Sequence, residues 1–317
     1  MSDSTADDII DRRRLRRKLT FWRVIAFCVV LVGLFAIAIA SLPEERFGSK
    51  SRPHIAKVRI EGTILEDEKL LDLLNDVGES EAVEGVILAI DSPGGTTAGG
   101  EAIYDAVRKL AEAKPVTAQI GTVGASAAYM IASASDHIVS RKTSIVGSIG
   151  VIMQYPNVAG MLEKLGIDME MIKSTPLKGE PSMFNGPVPG AEEMMRAMLL
   201  DSYDWFKDIV AERRGFSQAE ITRLADGSVF SGRQALERKL IDDLGGTETA
   251  REWLTGQGVD EDLEIVEWEK TEPATGLFWA RAAAQWLGFS LDEKSPVEAI
   301  QQRLLLDGLI SVWHVGG

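Results

Sequence analysis

From residue 55 onward, apolar and polar positions fall into blocks that read in turn as strands and helices. "IAKVRIEGTI", "EGVILAIDS" and "KPVTAQIG" are short and rich in β-branched residues, and they predict strands, the second buried on both faces. In "EAIYDAVRKLAEA", between the second and third, Ile103, Ala106, Val107 and Leu110 recur at i, i+3, i+4 and i+7, which gives one buried helical face. Strand, helix and strand at this spacing predict right-handed βαβ units in a mostly parallel sheet, an α/β fold. The alternation continues through "SIVGSIGVIMQ", a helical "NVAGMLEKLG" and a strand "DMEMIK". The stretch "STPLKGEPSMFNGPVPG" then excludes regular structure. A long helix from about Ala191 to Arg214 and shorter helices lead to "SGRQALERKLID". Residues 267–317, with Trp268, Trp279, Trp286 and Trp313, predict a separate helical tail.

The N-terminal pattern is different. Val24 to Leu42 is nineteen residues without a charge, about 28 Å as a helix and long enough to cross the hydrocarbon core. "RRRLRRK", Arg12 to Lys18, precedes it, and positive flanks stay cytoplasmic. A cleavable signal peptide is the competing reading, but its apolar region usually runs about 7–15 residues. A retained anchor is expected, with the main body beyond the membrane.

Composition narrows the function classes. Residues 1–23 hold seven Lys/Arg and four Asp, a net of +3, so the remaining chain carries −17 of the total −14. An acidic body of this size argues against nucleic-acid binding, which depends on Lys/Arg at phosphates. The single cysteine, Cys28, permits no intrachain disulfide and no cysteine-based metal site.

Two strand-to-helix junctions are built from small residues, and such junctions aim free backbone N–H groups into a cleft. In "IDSPGGTTAGG", Gly94 and Gly95 let the backbone approach a substrate closely. In "GTVGASAAY", small neighbours leave the Ser126 hydroxyl uncrowded, half of a nucleophile elbow with Ala128 where the second glycine would be. Together they could form an acyl-transfer site in which Ser126 attacks and the N–H groups of Gly95 and Ala127 hold the oxyanion. Taken singly, each loop is better explained by a turn and a helix N-cap.

The ordered motifs "VILAIDSPGG", "GASAAYMIASASDHIVS", "SIVGSIGVI", "IKSTPLKGEPSMF" and "DGSVFSGRQALERKLID" resemble those of the signal peptide peptidase A family, from about Val58 to Leu244. These are membrane-anchored S49-type serine proteases with a fold similar to the Clp protease and crotonase. The resemblance implies a Ser–Lys dyad with Ser126 as nucleophile and Lys178 as general base, and a hydroxyl at Ser148 that orients the lysine. A lysine works as a base only when apolar burial lowers its pKa. Leu177, Pro181, Met183 and Phe184 are candidates for such surroundings, and Glu180 would oppose them if it turned inward. The resemblance further implies hydrophobic peptides, remnant signal peptides foremost, as substrates. It also implies a ring-like homo-oligomer, an octamer being one size, in which Lys178 could serve Ser126 of a neighbour.

The expected organisation is a basic cytoplasmic segment 1–23, an anchor 24–42, a linker 43–54, a peptidase domain 55–266 and the tail 267–317. The protein would be a single-pass protein of the inner (plasma) membrane with its catalytic domain outside the cytoplasm. No cofactor and no metal are expected. A crotonase-like acyl-CoA enzyme and a catalytically silent membrane assembly protein are the alternatives. His54, His137 and His314 show no paired ligand spacing; His137 is expected to be packed or at a surface edge, and a Ser-His-Asp triad is not expected. Two departures stand out: Ala127-Ala128 replaces the family's frequent glycine pair, and Lys239 stands where a glycine is usual.

Overall fold

The long apolar runs form the centre of one sheet. The computed structural model describes residues 22, 23, 25–29, 33, 50–269 and 310–312, in two units, residues 1–52 and 53–317, each taken by itself. In the second unit, β1 (His54–Ile64) leads to α1 (Glu68–Glu79), capped by the Asp67 carboxylate, which accepts from the Leu70 N–H at 3.1 Å. β2 (Val83–Thr96) follows, then α2 (Thr97–Ala113), capped by Thr96 Oγ1 accepting from Gly99 N–H at 3.1 Å. Of the apolar residues that predicted this helix, Ile103, Val107 and Leu110 are buried. β3 (Val116–Ala125) runs into α3 (Ala127–Ala134), every residue of which is buried.

The chain continues through β4 (His137–Ser140), β5 (Ile145–Gly147), α4 (Ala159–Lys164), α5 (Ala191–Arg214), α6 (Gln218–Leu224) and β6 (Val229–Ser231). It closes with α7 (Gly232–Glu237), β7 (Asp243–Leu244), α8 (Thr247–Gly256), β8 (Ile265–Trp268) and β9 (Ile310–Val312). The sheet order is β6-β5-β3-β2-β1-β8, with β4 also on β3, β7 on β4 and β9 on β2. Among the described residues only the β5–β6 and β2–β9 pairings are antiparallel. Alternate residues of each strand face opposite sides, which divides the core. Val58, Ile60, Val86, Leu88 and Ile120 pack with α1, α2, α3 and α5, whereas Ile55, Ile87 and Val139 pack with Ala250, Leu254 and Val259 around α8.

The α/β class and mostly parallel sheet agree with the pattern in the sequence, and α5 has the expected limits. "DMEMIK" does not form a strand: residues 168–173 carry no regular structure, and Met169, Met171 and Ile172 are exposed. An alternating segment becomes a strand only where a sheet edge takes its backbone groups, and no described strand pairs with this one. His54, read as linker, begins β1 and is buried, and Trp268, read as tail, ends β8. Most of the anchor and of the helical tail lies outside the described residues. Residues 22, 23, 25–29 and 33 are helical, whereas 310–312 form a strand. Among the described residues no helix is long and apolar enough to cross a membrane.

Candidate active site

β3 ends at Ala125, and Ser126 makes the turn into α3 with φ 59° and ψ −123°. A non-glycine residue in such a region costs about 1–3 kcal/mol, so the surroundings must hold it there. Its N–H donates to Gly147 O at 2.8 Å, and its carbonyl accepts from Met130 N–H at 2.9 Å, opening the helix. The Ser126 side chain makes no capping hydrogen bond, which removes the N-cap explanation for a serine here. The turn is also tight on its flanks. A Cβ on Gly124 would lie 2.8 Å from the Ile120 side chain, and one on Gly100 of α2 would lie 3.1 Å from Ala127 Cβ.

The second small-residue loop stands at the same end of the sheet. Gly94 has φ 107°, and its N–H donates to the buried Ser92 Oγ at 3.1 Å. Gly95 has no room for a side chain, since a Cβ there would fall 1.8 Å from Ile64 O. Thr63 and Ile64 of β1 pair with Gly94 and Gly95 on one edge of β2, while the pairing with β3 on the other edge stops at Ser92↔Gly124. Beyond that point the β3 side of β2 is taken by β9, antiparallel, with Gly94↔Val312, Gly95↔Ser311 and Thr96↔Ile310. Gly95, Ser126 and Ala127 therefore lie at the carboxyl ends of two adjacent parallel strands, where open α/β sheets place their ligands.

Ser148 follows β5 directly and shares Ser126's unusual backbone, with φ 52°. Ala125 and Gly147 are register partners, so the two serines continue neighbouring strands. Ser148 N–H donates to Ser228 O at 2.8 Å, which fixes its turn. Lys178 is placed differently. It is exposed in a turn, with its N–H on Thr175 O at 3.2 Å, and among the described residues no hydrogen bond links it to Ser126. Leu177, Met183 and Phe184 around it are exposed as well. Glu180 does turn inward, but toward Lys173, with which it forms an ion pair; it also accepts from Asn185 Nδ2 at 3.1 Å and from Ser182 N–H at 3.0 Å. These contacts, Lys173 first, hold its carboxyl below the ordinary range.

The histidines are engaged elsewhere. His137 is buried, stacked on Trp253 with centroids 4.9 Å apart, and hydrogen-bonded to Asp243 at 3.0 Å. His54 accepts from Trp268 Nε1 at 2.9 Å. His314 lies outside the described residues. Among the described residues no cluster of three or more His, Cys, Asp or Glu could hold a metal ion.

Comparison with known proteins decides between acyl-transfer chemistries. The model of peptidase family S49 matches residues 108–259, which contain the elbow. The chain is 36% identical to a candidate protease of Synechocystis sp. over 219 residues, 68% of this chain and 79% of that protein. It is 31% identical to a candidate protease of Methanocaldococcus jannaschii over 87% of this chain and 93% of the relative. The chain belongs to peptidase family S49. It is similar as well to a candidate signal peptide peptidase SppA of Enterococcus faecium, 29% identical over 75% of this chain and 70% of that one.

As an S49 member the protein is a serine-type peptidase, which sets aside the acyl-CoA reading. Lys239, where the resemblance led to the expectation of a glycine, has φ 60°, the left-handed region that glycine adopts without strain. That departure has a visible cost in the backbone. The one between Ala127 and Ala128 does not, because both are helical and buried.

Proposed function

We propose that this S49 peptidase cleaves extended hydrophobic peptides, remnant signal peptides foremost, by a Ser–Lys dyad of Ser126 and Lys178, and that it works as a homo-oligomer anchored in the membrane. The observation that carries the reading is the strained turn at Ser126 beside an edge of β2 that accepts an antiparallel strand, here β9. An extended chain laid antiparallel along Gly94–Thr96, as β9 is, passes the elbow with its carbonyls toward the N–H groups of Gly95 and Ala127. Attack by Ser126 Oγ would then form an acyl-enzyme, with the lysine taking the hydroxyl proton and returning it to the leaving amine. Ser148 Oγ would orient the ammonium. The two loops and the parallel sheet fit a Clp protease/crotonase-like arrangement.

Lys178 is exposed in the single chain, and that favours an assembly. Ile152, Met161, Leu165, Ile172, Met194 and Met198 are exposed with it, all between residues 152 and 198. Apolar side chains gathered in this way mark an interaction surface. A second copy packed over the segment would bury the lysine among apolar groups, where its neutral form is favoured. Whether the lysine serves its own Ser126 or a neighbour's is then a matter of how the copies pack. The anchor rests on the uncharged run 24–42 behind a basic segment, part of which, residues 25–29, is helical with Phe27 and Val29 exposed.

The test is the mass of products from a synthetic signal peptide incubated with the full chain in detergent, compared with Ser126→Ala and Lys178→Arg. Products cut within the apolar stretch by wild type alone support the dyad. Cleavage by either variant would defeat it.

A further inference from the structure

β2 and β3 fall out of step just before the active end of the sheet. Ile90 pairs with Ile120 and Ser92 with Gly124, so three residues of β3, Gly121, Thr122 and Val123, stand opposite the single residue Asp91. A bulge of this kind leaves ladder groups unpaired and turns the strand. The Asp91 carboxylate takes two of them: Oδ2 accepts from Thr122 N–H at 3.2 Å and Oδ1 from Val123 N–H at 3.1 Å. Ser144 Oγ donates to the Gly121 carbonyl at 2.5 Å. Gly121 lets the carboxylate come close, because a Cβ there would lie 2.8 Å from Asp91 Oδ2 and push it aside.

The bulge is also where β3 changes partners. Before it, Ile120 pairs with Ser140 of β4; after it, Val123 pairs with Ile145 of β5 and Ala125 with Gly147. That second pairing leads into the Ser126 N–H bond to Gly147 O at 2.8 Å. Beyond Ser92↔Gly124, β3 no longer pairs with β2, and the edge at Gly94–Thr96 takes an extended strand in its place, here β9. The Asp91 carboxylate thus sits at the bend where β3 leaves β2 and joins β5.

We propose that Asp91 is a positioning residue of the peptidase, acting through the backbone of Thr122 and Val123 to set the distance between Ser126 Oγ and the oxyanion donors. The proposal rests on the reading of Ser126 as nucleophile. Neither loop alone points to the aspartate, since its partners are thirty-one and thirty-two positions away. Without it the two N–H groups turn to water and the bend relaxes. A displacement of about 1 Å at the reacting atoms costs about 100-fold in rate.

The experiment measures the rate at which a fluorophosphonate labels the full chain, with peptide kcat and KM alongside, for Asp91→Ala, Asp91→Asn, Ser126→Ala and Asp136→Asn. Asp136 is the matched control, because its carboxylate accepts from Val116 N–H at 3.1 Å at the far end of the same strand. Asp91→Ala should label about 100-fold more slowly, through kcat with KM little changed. Asp91→Asn, which keeps one acceptor oxygen, should fall between it and wild type, and serves in its place if the alanine variant does not fold. Asp136→Asn should label at the wild-type rate. Folded Asp91 variants with wild-type labelling, or an equal loss in Asp136→Asn, would overturn the positioning role while leaving the nucleophile assignment intact. Labelling of Ser126→Ala would instead sink that assignment, and the present proposal with it.

Discussion

Ser126 donates its backbone N–H to the carbonyl of Gly147, 2.8 Å away, and the residue after Gly147 is Ser148. That bond ties the end of β3 to the end of β5. It brings together two serines 22 positions apart in sequence, both at positive φ. Strain at two neighbouring turns, held by a common hydrogen bond, is what a preorganised site looks like.

The strain at Ser126 separates function from stability. Ser126→Gly removes both the hydroxyl and the penalty for φ 59°, so it should be inactive and more stable than Ser126→Ala by about 1 kcal/mol. Chemical denaturation of the two variants, with peptide turnover measured on each, checks this. A glycine variant no more stable than the alanine one would mean that the turn is not strained.

The frame of the protein was legible because its signals are local. The periodicity of Ile103, Val107 and Leu110, the β-branched runs and the two small-residue junctions each reflect neighbours along the chain. What escaped the sequence depends on distant partners. "DMEMIK" alternates as a strand does, but finds no edge to pair with. His54 and Trp268 looked peripheral until β1 and β8 paired and put one against the other. Asp91 lies inside "VILAIDSPGG" with no local sign of its role, because the groups it holds are set opposite it only by the offset between β2 and β3. Lys178 was expected among apolar side chains; those side chains are there, but exposed in the single chain.

Glu180 gives the lysine segment a pH dependence. Its carboxyl is held below the ordinary range, first by Lys173 and then by Asn185. A lowered carboxyl contributes stability that is complete above its unfolded value and is lost as pH falls through the folded one. Protease nicking between residues 173 and 185 should therefore be slow at neutral pH and rise in acid. Glu180→Gln should be nicked readily at both. Equal nicking of wild type at pH 7 and in acid would show that the ion pair does not hold the segment.

Lys178→Arg keeps the charge of an exposed turn residue and should leave folding unchanged. A guanidinium does not give up its proton near neutrality, so turnover should disappear. Replacement of His54, His137 and His314 together by Gln should leave the chemistry intact in whatever fraction folds, since His54 and His137 are buried in contacts away from the elbow. Turnover by the arginine variant would exclude the lysine as base.

Lys239 occupies a left-handed position on the protein surface, with φ 60°. Lys239→Gly should raise stability by about 1 kcal/mol, the cost of a side chain in that region. Peptide turnover should not change, because the residue closes α7 and contributes no group to the site. A thermal midpoint that falls would mean that Lys239 makes a stabilising contact outweighing the backbone strain.

β9 lies on the edge that an extended substrate needs, paired with Gly94, Gly95 and Thr96. A peptide must displace it to reach the same backbone groups, and the displacement subtracts from the peptide's binding free energy. A chain ending at residue 309 should therefore bind a hydrophobic peptide more tightly. In the Ser126→Ala background, where nothing is cut, the change appears directly as a lower Kd by fluorescence anisotropy. The strand segment supplied as a free peptide, residues 308–315, should compete with the probe on the shortened chain. Placing Pro at position 311 of the full chain removes a ladder N–H without shortening it and should also lower Kd if that group pairs with β2. An unchanged Kd in the shortened chain would mean that peptide and β9 use different edges, and the docking mode proposed for the substrate would fall with it.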